Sequence, residues 1–72
     1  MTNFVIIIER AEDGGFGAWC PDLPGCVALA DTYDETVAEM RTAIEFHLRG
    51  MRESGEPVPV PTAVGAAMVA AA

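Results

Sequence analysis

Lysine is absent from this 72-residue chain, and its four basic side chains, Arg10, Arg41, Arg49 and Arg52, stand against eleven acidic ones for a net charge of −7. A surface with that deficit repels phosphate backbones in modest salt, so direct nucleic-acid binding by the chain alone is disfavoured. One histidine and two cysteines fall short of the usual four-ligand zinc site. No apolar run approaches the ~20 residues of a membrane helix, and Met1-Thr2-Asn3 lacks the basic start of a secretory signal. The expected location is therefore the cytoplasm, with no membrane, where a structural disulfide is rare. A chain this short buries only roughly 60% of the surface it exposes unfolded, which leaves no room for a large enzyme core. What it does have, 51% hydrophobic residues with 7% aromatics, suits one small folded domain.

Residues 4–8, Phe-Val-Ile-Ile-Ile, have the β-branched and aromatic character of a strand. Alternation puts Phe4, Ile6 and Ile8 on one side and Val5 and Ile7 on the other, so both faces are apolar. One helix covers only one of them, and a homodimer or tetramer is expected to cover the other. Asp13-Gly14-Gly15 supplies a hairpin turn, residues 16–20 a second strand, and residues 26–30 a third. Between the last two, Pro21-Asp22-Leu23-Pro24-Gly25 interrupts pairing, because proline has no N–H to donate. Thr32-Tyr33-Asp34-Glu35 has the form of a capping box, and Val37, Met40, Ile44, Leu48 and Met51 recur at helical spacing. The helix is expected from about Tyr33 for about 20 residues, with Gly55 beyond its end and Pro57 preventing continuation. Residues 56–61 alternate proline in an extended path, and the Ala-rich residues 63–72 could form an edge strand around Val64–Val69, a frayed helix, or no regular structure.

The chemistry-bearing candidates each have a structural explanation. Glu9, Asp22, Asp31, Asp34 and Glu35 could converge on Mg²⁺, yet each sits at an element end where a cap or helix dipole accounts for it. Cys20 or Cys26 could act as a nucleophile with His47, but no cation lies near either thiol in sequence to lower its pKa. The five-residue spacing between them could close a hairpin disulfide under oxidising conditions. His47 at the edge of the apolar stripe reads as a packing histidine, and Trp19, Phe16 and Tyr33 as core or interface anchors rather than a base-stacking platform. No catalytic residue, metal or cofactor is assigned, and the chain is not expected to be an enzyme. The 21–25 loop is the most distinctive local element: two prolines stiffen it before any encounter, so a partner loses less entropy on binding it.

Residues 18–26 (Ala-Trp-Cys-Pro-Asp-Leu-Pro-Gly-Cys), Asp31-Thr32 opening a helix, residues 43–51 (Ala-Ile-Glu-Phe-His-Leu-Arg-Gly-Met) and residues 55–59 (Gly-Glu-Pro-Val-Pro) occur in an order that resembles the HicB-type antitoxins of toxin–antitoxin pairs. The resemblance runs from about residue 3 to residue 62. It implies a β-β-β-α-β domain like a degraded RNase H fold, with a last strand after the proline segment. It also implies work by protein binding, through occlusion of a small basic HicA-type toxin that cleaves mRNA. Many relatives carry a separate DNA-binding domain, whereas after Pro61 this chain has only the alanine-rich stretch.

The expectation is thus an α+β domain: an antiparallel three-stranded meander, one long amphipathic helix, and room for a fourth strand. Residues 1–62 form the HicB-like domain and residues 63–72 an appended tail. Toxin contact is expected at Asp22, Leu23, Pro24 and Gly25 and at Glu35 and Glu39, by loop stiffness and charge complementarity. Self-association is expected through Val5, Ile7, Trp19 and Phe46. The competing readings are an orphan homo-oligomeric scaffold or small-molecule binder without a toxin, and a residual Mg²⁺-dependent nuclease.

Overall fold

The computed structural model describes residues 2–72. The expected first strand reaches ladder geometry only at its C-terminal half. β1 spans Ile7–Arg10, β2 Phe16–Trp19 and β3 Val27–Ala30, in one antiparallel sheet of order β1-β2-β3. The register pairs Ile7 with Trp19, and continuing it two residues outward would set Val5 opposite Pro21. Pro21 has no N–H to give, so pairing stops before residues 4–6 can join.

The β1–β2 connection spans residues 11–15, with Ala11 and Gly15 closing a three-residue turn over residues 12–14. The Ala11 N–H donates to the Gly15 carbonyl at 2.8 Å, the Gly14 N–H donates to the Ala11 carbonyl at 3.1 Å, and the Asp13 carboxylate accepts from the Gly15 N–H at 3.0 Å. Thr32 then caps the helix α1 (Tyr33–Glu53), its hydroxyl accepting from the Glu35 N–H at 3.1 Å. Asp34 and Glu35 in the first turn and Arg52 in the last suit the helix dipole. At the other end the Glu56 N–H donates to the Met51 carbonyl at 2.9 Å and the Gly55 N–H to the Arg52 carbonyl at 3.2 Å, a Schellman closure with Gly55 at φ +74°.

The helix lies on one face of the sheet. Met40 and Thr36 are wholly buried, and Ala18, Cys20, Leu23 and Cys26 complete the core, with Phe4, Ile6, Ile8, Ala28, Ala43, Ile44, Leu48 and Met51 packed around it. Thr36 fits this apolar site because its hydroxyl donates to the Thr32 carbonyl at 2.7 Å. Among the described residues the sheet has three strands, and residues 56–72 hold neither helix nor strand. The radius of gyration is 13.5 Å, against about 11 Å for a compact chain of this length. Residues 64–72 are all exposed, which accounts for the excess.

Candidate functional site

Three surfaces carry the residues singled out in the sequence: the 21–25 loop, the outer face of α1, and the sheet face away from the helix.

The loop consists of two consecutive β-turns. The Leu23 N–H donates to the Cys20 carbonyl at 3.2 Å, and the Cys26 N–H donates to the Leu23 carbonyl at 3.1 Å. Pro21 and Pro24 each take the second position of a turn, where their fixed φ is already correct, and Gly25 at φ +84° supplies the left-handed third position of the second turn. Leu23, shared by both turns, points inward and is 1% exposed. Leu23 therefore anchors the loop from beneath rather than offering a contact surface, while Pro24 and Gly25 lie exposed. Both turns are local, but the inward direction of Leu23 is not, and periodicity could not reveal it in a loop.

Asp22 is occupied within the chain. Its carboxylate accepts from the Thr62 N–H at 3.1 Å, the Thr62 hydroxyl at 2.8 Å and the Ala63 N–H at 3.1 Å, tying the segment after the prolines back to the loop. The Thr62 backbone bond first, then the Thr62 hydroxyl and the Ala63 bond, hold the Asp22 carboxyl below its ordinary value of 3.8. The folded value being the lower one, this tie is fully present above the unfolded value and is lost as pH falls through the folded one. Relative to the intrinsic rate at each pH, amide exchange at Thr62 and Ala63 is expected to be slow at neutral pH, and this protection is expected to be lost once acid protonates Asp22 below the ordinary carboxylate value. Asp22→Ala should lack this protection at every pH. If the parent's exchange at these two amides follows only the intrinsic acid dependence, the tie does not act in solution.

On α1, Glu35, Glu39, Phe46 and Glu53 fall within one exposed stripe on the side away from Met40. Phe46 is 73% exposed there. The third surface is the uncovered sheet face. Cross-strand neighbours Ile7, Trp19 and Val27 form one row, and Glu9, Gly17 and Leu29 the next. Trp19, Val27 and Leu29 are exposed, Leu29 by 79%. A Cβ at Gly17 would come within 3.1 Å of Leu29 Cδ2, so the missing side chain lets Leu29 lie across β2.

The structure thus separates residues that the sequence grouped. Ile7 and Trp19 share the open sheet side, Val5 precedes β1 outside the ladder, and Phe46 lies on the outer helix stripe with Glu35 and Glu39. Phe16 and Tyr33 meet edge to face at 6.2 Å, and the Arg10 guanidinium sits 5.3 Å over the Phe16 ring. Both rings are on the helix side, so they form no platform with Trp19. Among the described residues no three His, Cys, Asp or Glu side chains come together, and Glu9, Asp22, Asp31, Asp34 and Glu35 do not converge. Nor is any described helix long and apolar enough to cross a membrane. A groove of about 600 Å³ runs between α1 and residues 2–6, floored by Phe4, Ile6, Ile44 and Leu48 with Arg41 and Arg52 also lining it.

A three-stranded meander backed by one capped helix, with a doubly turned Pro-Asp-Leu-Pro-Gly loop, has close counterparts. The family model described as HicB_like antitoxin of bacterial toxin–antitoxin system matches residues 4–71. The chain belongs to that family. The HicB-like chain is 35% identical over 57 residues to a UPF0150 protein of Synechocystis, covering 79% of this chain and 72% of the relative. It is 39% identical over 60 residues to a UPF0150 protein of Archaeoglobus fulgidus, covering 81% and 87%. Among solved structures, the N-terminal domain of the Burkholderia pseudomallei antitoxin HicB superposes with a TM-score of 0.69 at 30% identity, covering 75% of this chain and 64% of that one. The three strands and the long helix of this HicB-like chain are the fold of that domain.

Proposed function

We propose that this HicB-like chain is the antitoxin of a type II pair and neutralises a small basic HicA-type mRNA-cleaving toxin by direct, stoichiometric binding. The exposed acidic stripe of α1 carries this reading: Glu35 and Glu39 stand one turn apart on a chain of net charge −7, beside an exposed Phe46 that supplies an apolar anchor. Complementary charge raises association rates, and a desolvated aromatic supplies binding energy. Pro24 and Gly25 extend the contact from the stiff loop. Catalysis plays no part in this function, which needs only a surface that covers the toxin.

The double variant Glu35→Lys, Glu39→Lys reverses two of the eleven acidic side chains on exposed helix positions and should leave the fold intact. Its on-rate for a basic toxin encoded beside the antitoxin gene is expected to fall about tenfold in low salt, with a shallower salt dependence. An unchanged on-rate and salt dependence would remove this stripe from the interface.

A second copy is proposed to cover the open sheet face, with Val5, Ile7 and Trp19 meeting their counterparts in a homodimer or tetramer. The support is the exposed row of Trp19, Val27 and Leu29, an apolar surface of the kind that marks association sites. An orphan homo-oligomeric scaffold would use the same face without a toxin. Co-expression with the neighbouring basic gene product separates the two, because only the antitoxin forms a stable complex with it.

A further inference from the structure

Cys20 and Cys26 have no part in the toxin or self-association surfaces. The last β2–β3 ladder pair is Trp19 with Val27, and continuing that register one step beyond the strands would bring Cys20 opposite Cys26. Both are buried in the same core cluster, and the two turns between them return the chain from the Cys20 carbonyl to the Cys26 N–H. Facing residues in antiparallel strands have Cα atoms about 4.5–5.5 Å apart, inside the roughly 4.4–6.8 Å that a disulfide spans. We propose that Cys20 and Cys26 form a reversible intrachain disulfide that latches the 21–25 loop at its base.

The chemistry follows from having two donors. Among the described residues no third His, Cys, Asp or Glu joins the pair to complete a metal site. Two adjacent thiols can instead pass two electrons to a small-molecule disulfide such as oxidised glutathione. One protein thiolate attacks a sulfur of that disulfide and expels a small thiolate, leaving a mixed disulfide. The second protein thiolate attacks the protein sulfur of the mixed disulfide and expels the other small thiolate. The two protons lost by the protein end on the two small thiols released. Burial, and after it the neighbouring Cys20, push the Cys26 thiol up from its ordinary value, so little thiolate is present at neutral pH and the exchange is slow and faster in alkali. Asp22 lies within the ring so formed, so the latch also restricts the carboxylate that holds residues 62–63.

The test is equilibration of the folded chain in a glutathione buffer kept mostly oxidised, read by intact mass and thiol counting. The expected result is a monomer mass about 2 Da lower, a fall from two free thiols to none, and a melting temperature raised by ~10 °C. Cys20→Ala has no second thiol to expel the glutathione, so it should never show the lowered mass, stopping at the free thiol or the mixed disulfide, and should show no such rise. The parent measurement stands alone if that variant folds poorly. The proposal is overturned if both thiols persist, if the bond joins two chains, or if it forms only when denaturant is present.

Discussion

Leu23→Ala is expected to cost about 2–5 kcal/mol of stability, the range for emptying a fully buried leucine site. A chain of this length has roughly 4–11 kcal/mol in total, so the variant should melt at least ~10 °C below the parent and be partly unfolded at physiological temperature. The reason lies in how the loop is built. Leu23 is the one side chain of the Pro21–Gly25 segment that reaches the core, among Cys20, Cys26, Ala18 and Met40, and both turns share its backbone. Removing it opens a void and also loosens the carboxylate at Asp22. Pro24→Ala, one residue away on the exposed side, should cost less than about 1 kcal/mol, mainly through greater freedom of the unfolded chain. Thermal melts followed by circular dichroism compare the two. A Leu23→Ala midpoint within ~2 °C of the parent would show that the loop does not pack as described. The same pair bears on toxin binding: loss of binding in Leu23→Ala reports lost folding, whereas loss in Pro24→Ala reports a contact.

The second large effect concerns the open sheet face. Trp19→Asp combined with Leu29→Asp places two charges on the exposed apolar surface, where they would be buried unpaired in an assembly. Each uncompensated charge, and the loss of an aromatic anchor, costs upwards of ~2 kcal/mol, so self-association should weaken by more than ~100-fold. Sedimentation at tens of micromolar is expected to give a dimer or tetramer for the parent and a monomer for the double variant. Because both positions are exposed in the single chain, the fold should survive, and an unchanged circular dichroism spectrum verifies it. Phe46→Asp discriminates between the two sides of the domain. Phe46 lies on the outer helix stripe, so this variant should keep the parent's oligomeric state while weakening toxin binding. An assembly that dissociates with Phe46→Asp but not with the sheet variant would place the copy interface on the helix.

The elements were legible because their signals are local. Thr32 caps α1 through the N–H of Glu35 three residues on, Gly55 closes it, and Pro21 and Pro24 stop the strands on either side. Even the shortened β1 follows from a proline, once the register is known to bring Pro21 opposite Val5. The family resemblance was likewise legible, since its motifs follow one another along the chain. The candidate surfaces were legible only as residue types. Glu35 and Glu39 could be placed on one exposed helix face from spacing alone, but Phe46 could not be told apart from Trp19 as an interface residue.

What the sequence determined by itself is the kind and order of elements, the acidic surface and the stiffness of the loop, because each depends on neighbours within a few positions. Tertiary structure alone decided that Leu23 turns inward, that Asp22 holds Thr62 across forty residues of chain, that Cys20 and Cys26 share one buried cluster, and that Phe46 and Trp19 lie on different surfaces. These depend on the strand register and on how the helix lies over the sheet. Such contacts form only when distant segments bury apolar surface together, and no local propensity encodes that free energy.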